Sequence, residues 1–259
     1  MTKNILQSAA PNLAGQPIVE FRKPDFDAAV WQKGYKVIIE KALRCPCHAP
    51  DAPLIDCQNC YGTGYFYINP LSTIALMTNL NQNNYYKNWS ETLMGTVEVT
   101  VRDIDKPNLG YFNRITVKDQ FSYFSENRVI RSYNEDTFVF TTYKPVELIS
   151  LHIFNQYDKK LIKLSEEEYE LNPNNPYSII LKLKELPVNR IVSIYYKHEP
   201  EYHVIDLPHE IRASFVKDKP SGKMQQINLP IQAIARRSHL IAIGIPNFDG
   251  TGTIDNDNI

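Results

Sequence analysis

The sequence lacks several features that would place a chain of 259 residues in a familiar functional class. It has no excess charge, because 28 Lys and Arg balance 29 Asp and Glu, whereas proteins that hold nucleic acid through its phosphates usually carry a basic excess. It has no run near the roughly 20 apolar residues of a membrane helix, and no apolar signal follows its first residues. We therefore expect folding in a reducing cytoplasm, where clustered cysteines bind metals more often than they form disulfides.

Catalytic motifs are also missing. The sequence contains no Gly-x-Ser-x-Gly, no Walker loop, no dinucleotide glycine fingerprint and no His-Glu-x-x-His. We therefore expect a protein that is not an enzyme and has no catalytic residue.

Alternating apolar and polar residues dominate the chain after Gly95. The composition is that of a globular protein, with 43% hydrophobic and 22% charged residues. Turn formers, many of them Pro or Asn, separate the short β-like runs. These runs are residues 96–101, 114–118, 128–132, 137–142, 146–154, 177–183 and 190–197. The pattern predicts a mainly β fold, barrel-like or sandwich-like, with a minor helical part.

The first quarter of the chain has a different pattern. Residues 1–24 show no apolar periodicity and predict an extended arm. Asp25 is a good helix N-cap, and the apolar residues that follow it suit one helical face, so we expect a helix over 25–43 that ends before Pro46. Short strands are expected at 65–68 and 73–77. The predicted organisation is an arm (1–24), a helix with a cysteine loop (25–68), a β-rich core domain (69–243) and a flexible tail (244–259).

All four cysteines fall within sixteen residues, as Cys45-Pro46-Cys47-His48 and Cys57-Gln58-Asn59-Cys60. A Cys-x2-Cys pair places two thiolates on one tight turn, where both reach a tetrahedral zinc. Glycines directly after the second pair let the backbone curl around a metal. The expected ligands are Cys45, Cys47, Cys57 and Cys60, with His48 as an alternative to Cys47. Such a closed set is typical of a structural zinc.

A second group of candidate ligands or catalytic residues is His203, Asp206 and His209. In an extended segment residues 203 and 206 point to opposite faces, and Pro208 introduces a bend. We therefore expect a strand end that turns into a loop, with His209 and Arg212 making hydrogen bonds. Glu166, Glu167 and Glu168 are expected on a solvated face, and Arg236-Arg237 form a surface pair or contact a partner.

Two segments together resemble a known group of proteins. The first is Arg44-Cys45-Pro46-Cys47 with Cys57-Gln58-Asn59-Cys60-Tyr61-Gly62-Thr63-Gly64-Tyr65. The second is Ser193-Ile194-Tyr195-Tyr196 with Pro200-Glu201-Tyr202-His203-Val204-Ile205-Asp206, followed by Leu229-Pro230-Ile231-Gln232 and Ala235-Arg236-Arg237. Between them, Gly110-Tyr111-Phe112-Asn113-Arg114-Ile115-Thr116 and Phe124-Ser125-Glu126 fit the same group. The chain resembles the head-to-tail connector, neck or stopper-like proteins of tailed bacteriophages over most of residues 40–240.

The resemblance implies a virion subunit that is assembled in the host bacterial cytoplasm. Such a subunit forms a homo-oligomeric ring below the portal, closes the DNA-filled head and joins it to the tail. The implied partners are further copies of the chain, the portal protein and a tail or adjacent neck protein. Genomic DNA would pass through the lumen without specific binding, which a near-neutral chain allows.

The alternative function is a zinc-ribbon protein that binds nucleic acid. That function needs basic side chains near the cysteine loop, where the sequence has Arg44 but also the acidic Asp51 and Asp56. A third hypothesis is a metal-dependent enzyme centred on His203, Asp206 and His209.

Overall fold

Strands form most of the chain in the computed structural model, as the alternating runs predict. The structure describes residues 23–47, 57, 59–60, 63–79, 95–133, 136–155, 159–183, 190–208, 213–217, 224–228 and 230–241. One helix, α1 (Lys23–Lys33), precedes the strands. The strands are β1 (Tyr35–Arg44), β2 (Tyr65–Asn79), β3 (Thr96–Val101), β4 (Arg114–Val117), β5 (Ser122–Val129), β6 (Arg131–Tyr133), β7 (Asp136–Phe140), β8 (Pro145–Asn155), β9 (Lys160–Lys163), β10 (Tyr169–Leu171), β11 (Ser178–Leu181), β12 (Ile191–His198), β13 (Glu201–Asp206), β14 (Ala213–Lys217), β15 (Met224–Asn228) and β16 (Ile231–Arg237). The prediction of a mainly β chain with an N-terminal helix is confirmed.

The helix is shorter than the sequence predicts, because Gly34 ends it. A Cβ at Gly34 would lie 2.5 Å from the carbonyl oxygen of Val30 and 2.9 Å from that of Ala75. The chain turns at this point, and β1 begins at Tyr35. The prediction of a helix is therefore wrong for the second half of residues 25–43. Val37 and Ile39 are two residues apart and are both buried on one face of a strand.

A closed barrel forms the first structural unit. Its strands follow the order β1-β2-β3-β16-β13-β4, and β4 pairs with β1 to close it. Every neighbouring pair is antiparallel. Alternate residues of the strands point inward and form one apolar core, composed of Val37, Ile39, Ala75, Val99, Val101, Ile115, Val117, Tyr202, Val204, Leu207, Ile231, Ala233 and Ala235. Because closure leaves no free sheet edge, every barrel strand has two hydrogen-bonded neighbours.

Two four-stranded sheets form the second unit, a sandwich. Their orders are β10-β11-β7-β6 and β5-β12-β8-β9. Both sheets contribute side chains to one core, among them Val139 and Ile179 from the first and Leu151 and Ile194 from the second. The sandwich is inserted between β4 and β13, which are paired in the barrel. At the base of the insertion the Val117 N–H donates to the carbonyl of Pro200 over 2.9 Å.

Several details of the chain differ from the sequence-based expectation. The two short strands expected at 65–68 and 73–77 are one strand, β2, in which Asn69 has φ of 51° and the register with β1 shifts. The expected boundary at residue 68 falls inside β2. Residues 201–206 form a full barrel strand, β13, where only a strand end was expected around His203. Residues 231–237 form β16, where no strand was expected.

The remaining described elements are short. Strands β14 and β15 pair with each other as a separate two-stranded sheet. Turns of 3-10 helix occur at Asp103–Asn108, Glu166–Glu168 and Ser238–Leu240. Within the described part of the chain, no helix has the length and apolar character needed to span a bilayer. Residues 1–22 and 242–259, which hold most of the predicted arm and tail, lie outside the described residues.

Candidate metal centre

The four cysteines lie at one end of the antiparallel β1–β2 pair. Arg44 at the end of β1 pairs with Tyr65 at the start of β2. Cys45 therefore stands directly after one strand, and Cys57 and Cys60 stand shortly before the other. The backbone N–H of Cys45 continues the ladder by donating to the carbonyl of Gly64 over 2.8 Å. Gly64 has φ of 77°, a conformation that favours glycine, so this residue suits the turn that leads into β2.

The positions of the four sulfurs fit a single tetrahedral ion. Four sulfurs that each lie about 2.3 Å from one ion are separated by about 3.8 Å. The Cys45 and Cys57 Sγ atoms are 3.8 Å apart, those of Cys47 and Cys60 are 3.5 Å apart, and all four lie within 4.8 Å of one another. All four cysteines are free thiols, since a disulfide needs a separation of about 2.05 Å. The structure thus brings together every cysteine that the sequence predicts as a ligand.

The thiols differ in how readily they ionise, which is the step that metal binding requires. Burial raises the pKa of Cys45. Burial also raises the pKa of Cys57, but the backbone N–H groups of Cys60 and Asn59 and the neighbouring thiols outweigh it and lower that pKa to about 7. Hydrogen bonds from backbone N–H groups stabilise the thiolate form, which is the form that binds a metal.

Cys45 and Cys60 are almost completely buried, with exposures of 2% and 1%. Thr63 helps to hold this end of the loop, because its backbone N–H and its hydroxyl both donate to the carbonyl of Cys60. The remainder of the loop, including His48, Asp51 and Asp56, lies outside the described residues. Replacement of Cys47 by His48 therefore stays a prediction.

The second predicted group does not form a shared site in the described residues. His203 is buried in β13, whereas Asp206 is exposed and its Oδ1 accepts from the Leu207 N–H at 2.8 Å. His209 and Arg212 are not described. In the described part of the chain, the four cysteines are the group of His, Cys, Asp or Glu side chains that can hold an ion.

Two charged segments, Glu166–Glu168 and Arg236-Arg237, were predicted on the surface. Glu166–Glu168 form an exposed or partly exposed 3-10 turn with a capping box, in which Glu168 accepts from the Ser165 backbone and hydroxyl, as expected for a solvated segment. Arg237 lies over the ring of Tyr202 at 5.4 Å, so it packs on the barrel.

A polar cavity next to the cysteine loop was not predicted. It has a volume of about 580 Å³ and lies between the barrel and the sandwich. Asn59, Cys60 and Thr63 form part of its wall on the loop side. Tyr177 and Thr141 contribute from the sandwich side, so one cavity joins the loop and both structural units.

Arg114 is one of two arginines in the described wall of the cavity, the other being Arg128. Its Nε donates to Glu40 Oε2 over 2.7 Å, and its guanidinium lies over the Tyr67 ring at 4.0 Å and the Tyr177 ring at 5.1 Å. A carboxylate and two aromatic faces thus surround the cation, which compensates for the water it loses on burial.

Glu201 connects the barrel with the sandwich. Both of its carboxyl oxygens accept from the Tyr177 hydroxyl, at 3.1 and 3.2 Å, and Oε1 lies 3.4 Å from the backbone N of Lys144. Glu201 is 3% exposed, and this burial raises the pKa of its carboxyl although Arg114 and the hydrogen bonds act to lower it. Glu201 therefore favours its protonated form more than an exposed glutamate does.

His203 lies beside this network as a neutral imidazole. Its Nδ1 is 3.2 Å from the Tyr67 hydroxyl and 3.3 Å from the carbonyl oxygen of Phe112. Burial, followed by the charge of Arg114, lowers the pKa of His203 to about 3. His203 therefore adds no charge to the cavity.

No local sequence signal could have identified this cavity. Its polar groups come from strands β2, β4, β5 and β13, from the cysteine loop and from the segments that adjoin β7, β11 and β16. Neighbours such as Glu40 and Arg114 are far apart in the sequence. The one available signal was Arg114, a charged residue within the β-like run 114–118.

The chain has no match among protein-family models, and a search of curated proteins found none with significant similarity.

Proposed function

We propose that this chain is a structural subunit of a tailed-phage virion: a head-to-tail connector or neck protein. It forms a ring below the portal, closes the DNA-filled head and joins it to the tail. The motif Cys45-Pro46-Cys47 with Cys57-Gln58-Asn59-Cys60 and the segment from Pro200 to Asp206 support this assignment through their resemblance to such proteins. The implied partners are copies of the chain, the portal and a tail or adjacent neck protein.

The observation that carries a structural role is the closed set of four sulfurs. If Cys45, Cys47, Cys57 and Cys60 all bind one tetrahedral ion, no coordination position is left for a substrate or an activated water. The ion then fixes the loop, and its binding free energy becomes folding free energy. We infer that the ion is zinc, because four thiolates in tetrahedral geometry are a common structural zinc site in a reducing compartment.

The fold offers a physical reason for this role. A barrel with an inserted sandwich gives a subunit of fixed shape, because each unit has its own apolar core. A nearly neutral chain, with a formal charge of -1, suits a ring whose lumen DNA crosses without binding to it.

Quantitative mass spectrometry of purified particles tests the virion role. We expect the chain at a fixed, low copy number relative to the major capsid protein, as one ring per particle requires. Absence of the chain from washed, DNA-filled particles would refute the proposal. Elemental analysis of the purified chain tests the metal, with about one zinc per chain expected.

The zinc-ribbon alternative makes a different prediction. A protein that binds DNA through its phosphates loses affinity steeply as salt rises. A strongly salt-dependent affinity of the purified chain for duplex DNA, together with absence from particles, would favour that function. Among the described residues adjacent to a cysteine in the sequence, the exposed Arg44 is the one cation.

A further inference from the structure

The cavity between the barrel and the sandwich has the size and the wall of a small-molecule site. Its volume of about 580 Å³ lies within the roughly 300–1,000 Å³ that is usual for ligand pockets. Aromatic rings of Tyr65, Phe66 and Phe140 and a set of polar groups line it. Both structural units contribute, so a ligand bound here would contact the barrel and the sandwich together. The polar groups decide which class of ligand fits.

The Arg114 guanidinium is held in place by three contacts and has one edge without a hydrogen-bond partner. Its Nε donates to Glu40 Oε2 over 2.7 Å, and its carbon lies over the Tyr67 and Tyr177 rings at 4.0 and 5.1 Å. The two terminal nitrogens, Nη1 and Nη2, donate to no group in the described residues, although the side chain is only 12% exposed. They are not sealed by protein atoms, so they adjoin the cavity that Arg114 borders. Two parallel N–H groups at a fixed edge match two oxygens of a carboxylate or phosphate.

Further donors border the same cavity. Arg128 donates from Nε to Glu126 over 2.7 Å and from Nη2 to the Thr142 hydroxyl, which leaves Nη1 without a partner in the described part of the chain. Ser238 is 9% exposed, and its hydroxyl has no hydrogen-bond partner among the described residues. A buried hydroxyl in that condition is unfavourable, and an oxygen of a ligand would give it a partner. With Arg114, these residues give the wall N–H and O–H donors from both structural units.

Glu201 is the one carboxyl in the described wall of the cavity. Both of its oxygens accept from the Tyr177 hydroxyl, and Arg114 pairs with Glu40 instead. Burial raises the pKa of Glu201, so protonation of this carboxyl can accommodate an anion that binds nearby. The carboxylates that pair with the two arginines, Glu40 and Glu126, are not part of the described wall. The wall itself therefore carries two cations against one carboxyl that takes a proton more readily than an exposed one.

We propose that this cavity binds a small organic oxyanion, with a carboxylate or phosphate group on the Nη1–Nη2 edge of Arg114. Arg128 and Ser238 supply the further donors, and the body of the ligand lies against the aromatic part of the wall. The site is separate from the candidate metal centre, and it does not depend on the virion role.

The test titrates the full chain, supplied with zinc, with a set of probe compounds at constant ionic strength and follows its amide and arginine side-chain signals by NMR. Benzoate and phenyl phosphate carry the anionic group on a ring, inorganic phosphate is the anion alone, and benzamide has the shape of benzoate without its charge. Benzoate or phenyl phosphate should give saturable shifts at Thr63, Arg114, Tyr177 and Ser238, with a Kd of roughly 1 mM. Inorganic phosphate should bind more weakly than phenyl phosphate, and benzamide at least about tenfold more weakly than benzoate. The aryl anion that binds more tightly identifies the group that the ligand carries.

Matched arginine substitutions locate the site. Arg114→Lys keeps the positive charge and the means to pair with Glu40, but lysine has no fork for two oxygens, so the affinity for the preferred anion should fall at least about tenfold. Arg102→Lys is the control. Arg102 also pairs with a carboxylate, Asp105, and lies over an aromatic ring, that of Trp31, but it does not border the described cavity. This variant should bind the anion like the unmodified chain.

Arg128→Gln keeps the test decisive if circular dichroism shows that Arg114→Lys is not folded. The Arg128 side chain is 41% exposed, so this variant should fold, and it should weaken binding at least about threefold.

Three results would overturn the inference. They are no saturable shift at the cavity residues with either aryl anion, benzamide binding as tightly as benzoate, or an affinity that neither Arg114→Lys nor Arg128→Gln lowers more than Arg102→Lys does. The virion role is tested separately, because absence of the chain from particles would leave the titration result unchanged.

Discussion

Protonation of His203 should destabilise the fold in mild acid. His203 is 4% exposed, and Arg114 lies close enough to oppose a second positive charge. Its pKa falls from an ordinary value of 6.5 to about 3 in the folded chain. The unfolded chain therefore binds a proton near pH 6.5, whereas the folded chain does not. The stability due to the neutral imidazole is present in full above pH 6.5 and is lost as the pH falls toward 3.

The size of this effect follows from proton linkage. Between pH 7.5 and pH 5.0 the unfolded chain becomes almost fully protonated at this residue, while the folded chain stays neutral. The linkage relation gives a loss of about 2 kcal/mol in the free energy of unfolding from His203 alone. His198, whose pKa burial lowers to about 4, adds a loss of the same sign. Glu201, with its raised pKa, acts in the opposite direction.

His203→Asn isolates the contribution of this one residue. An asparagine amide can take the place of Nδ1 near the Tyr67 hydroxyl and the Phe112 carbonyl, but it does not titrate. Urea unfolding of both proteins at pH 7.5 and 5.0, with the same excess of zinc, gives two losses of stability. The loss should be smaller by about 2 kcal/mol in the variant, whatever its stability at pH 7.5. Effects of acid on the cysteines, on His198 and on Glu201 cancel in this comparison.

One result would refute this reasoning. If His203→Asn loses the same free energy as the unmodified chain between the two pH values, the imidazole is not held neutral beside Arg114. The assignment of His203 as a neutral group in the cavity would then be wrong.

Three further substitutions test other parts of the structure. Cys60→Ser should lower the zinc content well below one per chain and reduce the melting temperature, measured by elemental analysis and circular dichroism; unchanged metal content would exclude Cys60 as a ligand. Tyr177→Phe removes the hydroxyl that bonds to Glu201 and should cost about 1–3 kcal/mol in urea unfolding, whereas Tyr111→Phe, at an exposed position, should cost nothing measurable. Gly34→Ala forces a Cβ against two backbone carbonyls and should cost about 1–3 kcal/mol; a neutral effect would show that the α1–β1 turn adjusts freely.

The sequence pattern predicted the strands whose own residues alternate between apolar and polar. Thr96–Val101 and Arg114–Val117 alternate in sequence and are barrel strands. The α1–β1 region was mistaken because the apolar positions from Phe26 to Ile38 fit a helical period as well as a strand period. The deciding feature was Gly34, whose backbone lies against Ala75, a residue of the next strand. β16 carries its period of two in Ile231, Ala233 and Ala235, but two of these are alanines, which give a weak strand signal.

The same distinction holds for the candidate site. The four cysteines are close in sequence, and the β1–β2 pairing brings them closer still, so spacing alone identified the set. The cavity depends on strand order: Glu40 and Arg114 meet because β1 pairs with β4, and Arg114 pairs with His203 because β4 pairs with β13. Local sequence patterns contain no record of such pairings, because β2 and β3 separate β1 from β4 and the whole inserted sandwich separates β4 from β13.

The position of the cysteines would give a bound ion a role beyond its own loop. Cys60 and Thr63 line the same cavity as Tyr177 of the sandwich and Glu201 of the barrel. A bound ion that fixes Cys60 therefore also fixes one wall of the junction between the two units. Removal of the metal by a chelator should increase amide hydrogen exchange at residues 63–67 and at Tyr177, while β8 and β12 in the centre of the sandwich keep their protection. Uniform loss of protection over both units would show instead that the ion stabilises the whole chain as one cooperative unit.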